Sequence, residues 1–122
     1  MNTLELFNKK LQVLIEIQPE KMRDILLCHG IIHVFAETFD AGQLALRDYF
    51  MRHQLEEEAK GTPKELVMDA YERILEVSED TWIQMLCDRY HPDISENVLQ
   101  RAQRILNEYV PAFQALQRMI NP

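Results

Sequence analysis

The segment with the densest set of reactive side chains is Trp82-Ile83-Gln84-Met85-Leu86-Cys87-Asp88-Arg89-Tyr90-His91-Pro92. Asp88, Arg89, Tyr90 and His91 bring a carboxylate, a guanidinium, a phenol and an imidazole together just where Pro92 breaks the chain. Such a set suits a phosphodiester, because arginine grips an anion through two parallel N–H groups and histidine moves a proton near neutral pH. On this reading Arg89 and His91 are the catalytic candidates. Asp88, Arg89, Tyr90 and His91 are the binding set, with Asp88 orienting Arg89. The plainer reading is that Arg89 and His91 serve the end of a helix, where the macrodipole favours cations and the last carbonyls need donors.

A second constellation is His29, His33 and Glu37, spaced i, i+4 and i+8. On a helix these stand one above another and can present metal ligands. No second motif supplies the remaining ligands, so the stripe reads as a polar border and no metal is expected. Asp69, Glu72, Glu76, Glu79 and Asp80 read as a solvated acidic face, lacking the Glu-x-x-His pairs of di-metal bundles. There is no Gly-rich phosphate loop and no nucleophile motif, and no cofactor is expected.

Helical periodicity sets the elements that carry these groups. A first helix is expected over Leu4–Ile17 with Thr3 as its N-cap, ended by Gln18-Pro19. A second, opened by Pro19, carries Ile25, Cys28, Ile32, Phe35, Phe39, Gly42, Leu46 and Tyr49 at alternating steps of three and four. This seam predicts a long helix to about Gln54, closely approached by a neighbour at Gly42. Thr62-Pro63-Lys64-Glu65 combines an N-cap, a first-turn proline and a capping box. Ser78 caps a fourth helix stopped by His91-Pro92, and Ser95 caps a last one that Pro111 kinks or splits. No stretch alternates with the period of a strand. The expected fold is all-α: an up-and-down bundle of four to five helices in a single domain, residues 1–122.

The chain has 122 residues and a formal net charge of −7, which argues against a free-standing binder of nucleic acid or anionic membrane. The acidity is concentrated in residues 52–88, where ten acidic side chains face four basic ones. Two cysteines, Cys28 and Cys87, are too few for a disulfide framework and read as reduced core thiols. No signal peptide or membrane span is expected, and the expected location is cytoplasmic.

The order of these motifs resembles the nucleotidyltransferase substrate-binding protein family, part of the wider HEPN group of helical domains. The resemblance rests on Gly30–Phe39 continuing through Leu46-Arg47-Asp48-Tyr49-Phe50 and on Gly61-Thr62-Pro63 through Asp69-Ala70-Tyr71. It continues in Trp82, Met85, Leu86, Asp88 and Arg89, and in Tyr109-Val110-Pro111-Ala112-Phe113. The family's polar signature is R-N-x-x-x-H. Here Tyr90 replaces the asparagine and His91 stands two residues after Arg89 instead of five. Gln43-Leu44 replaces a Trp-Lys pair.

The resemblance implies a non-catalytic helical subunit, homodimeric, that pairs with a minimal nucleotidyltransferase in a toxin–antitoxin-like system and helps bind nucleotide or substrate. Two alternatives stand beside it. One is a HEPN-type ribonuclease toxin using Arg89 and His91; the other is a structural or regulatory dimer without nucleotide chemistry.

Overall fold

A computed structural model describes residues 2–121. Helix α1 spans Thr3–Ile15, α2 Ile25–Arg52, α3 Glu56–Ala59, α4 Pro63–Arg73, α5 Glu79–Tyr90, α6 Val98–Arg104 and α7 Val110–Ile120. A 3-10 turn, Pro19–Lys21, precedes α2, and a π turn, Ile105–Tyr109, joins α6 to α7. Among the described residues there is no strand, and the fold is an all-α bundle.

Cross-helix contacts fix the directions. Thr3 meets Asp48 and Lys10 meets Glu37, so α1 runs antiparallel to α2. Arg89 meets Asp40 and Trp82 shares a crevice with Gln43, so α5 also opposes α2. Phe35 packs on Tyr109 and Gly42 on Leu116, so the last helix runs with α2. Taken in chain order, α1, α2, α5 and α6–α7 therefore alternate in direction, with α3 and α4 on the flank.

Several element ends differ from the sequence expectation, each for a local reason. Asn2, not Thr3, caps α1 by accepting from Glu5 N–H at 2.8 Å, which frees Thr3 to reach Asp48 from within the helix. Helix α1 also stops at Ile15, two residues early. Pro19 opens a separate 3-10 turn, and the cap of α2 is Asp24, accepting from Leu26 N–H at 2.9 Å. Ser95 bonds to Asp93 in the preceding turn, leaving Asn97 to cap α6 through Leu99 and Gln100. The caps at Thr62 and Ser78 fall as expected, the first as a reciprocal capping box.

Helix α2 ends at Arg52, two residues before the expected Gln54, in a hydrogen-bonded turn. Gln54 adopts φ 61°, Leu55 N–H reaches Phe50 O at 2.8 Å and Gln54 N–H reaches Met51 O at 3.2 Å. These are the paired bonds of a Schellman motif, formed here with glutamine in the left-handed position that glycine usually takes.

The core follows the seam, with additions. Cys28, Phe35, Phe39, Gly42 and Leu46 are buried as expected, joined by Ile31, Thr38, Ala41, Ala45 and Phe50. Ile25 is an exception at 56% exposed, because the helix begins there with no neighbour over it. A Cβ on Gly42 would stand 3.2 Å from Phe7 and 3.6 Å from Leu116, so α1 and α7 both close on α2 at this residue. Phe35 touches Phe39, Tyr109 and Phe113, making an aromatic centre where α2 meets the last helix. Helix α2 is long and apolar enough to cross a membrane, with mean hydropathy 1.2 over its most apolar stretch. It also carries Glu37, Asp40, Arg47, Asp48 and Arg52 along its length and packs at the centre of the bundle.

Candidate functional site

Helix α5 positions the candidate residues. Its C-terminal turn ends at Tyr90, and His91 caps it through a backbone N–H to Cys87 O at 2.7 Å. Pro92 follows and prevents continuation. Adjacent residues on a helix point about 100° apart, so Asp88 and Arg89 diverge and face different partners.

Asp88 faces the last helix. Arg104 Nε donates to its Oδ2 at 3.0 Å, and Tyr109 OH donates to the same oxygen. Arg104 also grips Glu96 with both terminal nitrogens, at 2.7 and 2.6 Å. Its Nε lies 3.2 Å from Tyr109 OH as well. Residues 104 and 109 are five apart, and the wider π turn between them brings residues at that spacing into line. Val110 N–H correspondingly reaches back to Ile105 O. The expected kink at Pro111 thus takes the form of a π turn ending two residues before it.

This network closes on itself. Arg104 is held even more firmly protonated than usual, chiefly by its bonds to Glu96. Glu96 is held below the usual carboxylate range by Arg104. Burial, reinforced by the bond to Asp88, pushes the Tyr109 phenol well above its ordinary value, so it stays a donor.

Arg89 faces α2. Its Nε and Nη2 donate to the two oxygens of Asp40 at 2.9 and 2.8 Å, a two-pronged pair. The bond to Asp40 raises the guanidinium above its ordinary value. The guanidinium also lies 5.1 Å from the Tyr90 ring centre, and Tyr90 meets Phe39 edge-on at 5.9 Å. Asp88 therefore does not orient Arg89; Asp40 does, one helix away.

Tyr90 and His91 open onto a groove of about 510 Å³ between α5 and the start of α4, lined by Thr62, Pro63, Lys64, Ile83, Leu86 and Cys87 besides themselves. Its floor is apolar, with Ile83 and Tyr90 partly exposed, and Lys64 and the His91 imidazole are its basic side chains. No carboxylate lines it. Cys87 is exposed in this groove, not a core thiol, because its position turns outward from the face carrying Trp82 and Met85; Cys28 is buried and donates its thiol to Met22 O.

The histidine stripe sits on the outer face of α2. His33 Nε2 is 3.4 Å from Glu37, with the His33 side chain 75% exposed, and Lys10 takes the other Glu37 oxygen at 3.2 Å. Among the described residues no three His, Cys, Asp or Glu side chains gather to hold a metal. Of the acidic face, the Asp69 carboxylate lies 3.9 Å from Arg73 Nη1 and Glu76 pairs with Arg118 at 3.0 Å. Burial and the neighbouring Glu72, Glu58 and Glu65 outweigh Arg73 and raise the Asp69 carboxyl.

The site thus divides the four expected residues into three settings: Asp88 in a closed network, Arg89 paired across the bundle, and Tyr90 with His91 at an open groove. Asp40, Glu96, Arg104, Tyr109 and Lys64 belong to it although none lies in the expected cluster. No family model, curated protein or solved structure matches this chain.

Proposed function

We propose that the chain is a non-catalytic helical subunit of the cytoplasm, homodimeric, that associates with a minimal nucleotidyltransferase and helps bind its nucleotide or substrate. The motif order described above supports the partner class. The observation that carries the choice of a binding role is the groove beside Tyr90 and His91. It offers an apolar floor, the Lys64 ammonium and the His91 imidazole in a strongly acidic chain. Arg89 does not line that groove, and its Nε and Nη2 are engaged by Asp40. A cleaving pair needs arginine and histidine converging on one phosphodiester. Here the two residues lead to different surroundings.

The test is co-purification with a minimal nucleotidyltransferase encoded beside this chain. A stable complex is expected by size-exclusion chromatography, weakened by Ile83→Asp or Tyr90→Ala and retained by Arg118→Ala. No complex, or one indifferent to the groove substitutions, overturns the reading. Incubation with RNA checks the rival: cleavage lost in both Arg89→Ala and His91→Ala would establish a ribonuclease.

A further inference from the structure

Two buried side-chain atoms lack a hydrogen-bond partner among the described residues, Gln43 Oε1 and Trp82 Nε1. An orphaned buried donor or acceptor carries a desolvation cost of about 1–3 kcal/mol, so two of them in one core call for a shared explanation. Trp82 is 3% exposed, and its indole N–H can only donate. Gln43 Oε1 can only accept. Both residues line the same crevice, bounded also by Phe39, Leu46, Met85 and Phe113. Its volume is about 20 Å³. A water needs roughly 10–15 Å³ of such space and at least two polar partners. The crevice therefore has the room for one water, and its two unpaired groups are one donor and one acceptor.

We propose that this crevice is a binding site for a single internal water, which accepts from Trp82 Nε1–H and donates to Gln43 Oε1. The bridge joins α5 to α2 where direct contact leaves both groups unpaired. Gln43 lies one turn beyond Asp40 on α2, and Trp82 lies two turns before Arg89 on α5. The water is thus the inner of two polar ties between these helices, the Asp40–Arg89 pair being the outer one. Together they set the rotation of the helix that carries Tyr90 and His91. The inference is independent of which partner the groove binds.

Trp82 is the sole tryptophan, so its indole proton gives one resonance that needs no assignment. In 15N-labelled protein, water-selective NOE and ROE spectra should give an indole–water cross-peak with the opposite signs that mark a bound water, as distinct from proton exchange. The Gln43→Met variant, similar in length but without the acceptor, should lose that cross-peak. A wild-type spectrum without it, or a cross-peak undiminished in Gln43→Met, overturns the proposal. A crystal structure gives a reading that does not depend on the variant folding. Density for one oxygen within about 3 Å of both atoms supports the site; a direct Trp82–Gln43 bond, or a crevice closed by side chains, refutes it.

Discussion

Asp88 and Arg89 are neighbours on one helix and meet opposite conditions. Asp88 is inside a network of four groups whose side chains are shielded: Arg104 is 15% exposed and Asp88 17%. Arg89 forms an equally well-shaped pair with Asp40, but with side chains 29% and 48% exposed. Geometry alone would rate the two arginines alike. Shielding separates them, because water screens the outer pair and replaces its bonds when it breaks. The inner network is architecture, and the outer pair with its adjoining groove is surface that a partner can reach.

Breaking the inner network should have the largest effect. Arg104→Met leaves Asp88 and Glu96 without their cation, and a loss of about 3 kcal/mol is expected, the lower end for a broken buried pair, read by urea denaturation. A loss below about 1 kcal/mol would erase the contrast with the outer pair. The same variant should flatten the acid response. Glu96 is depressed in the folded state, so its contribution is full above its unfolded value of about 4.3 and is lost as pH falls through the lower folded value. The wild type should therefore lose stability more steeply than Arg104→Met on acidification below about pH 4.3.

Tyr109→Phe keeps the ring against Phe35 and removes one donor from Asp88, with about 1–2 kcal/mol expected. Arg89→Ala should cost no more than about 1 kcal/mol, since its pair is partly solvated. The smallest change has the opposite sign. Gly30 has nothing within 4 Å of where a Cβ would stand. Gly30→Ala should stabilise α2 by about 0.5–1 kcal/mol, raising the melting temperature. Gly42→Ala, pressed against Phe7, should not share that gain.

The sequence carried the helices well where signals were redundant. Thr62, Pro63 and Glu65 agree on one boundary, and the α2 seam repeats often enough to define a buried face. Single signals fared worse. Thr3 and Ser95 were plausible caps beside Asn2 and Asn97, which are as good, and only chain direction decides between such neighbours. The site was legible as a cluster in the chain but not as a cluster in space. Nothing local marks Asp40 as the mate of Arg89, 49 positions away. Arg104 and Tyr109 could have been noticed as polar groups within an apolar pattern, but their alignment depends on a π turn that a 3.6-residue period does not foresee.

That turn also bears on how the chain can change in length. Between Ile105 and Tyr109 the backbone closes each ring over five residues where an α-helix uses four. The last helix therefore holds one residue more than a continuous α-helix with the same two inward faces would need. Inserting a second extra residue here would shift the helical phase by about 100° between the two halves. Tyr109 and Phe113 could not then both stay on Phe35 while Arg104 keeps Asp88. The segment should tolerate substitution at its outward positions, Asn107 and Glu108, far better than it tolerates a further insertion.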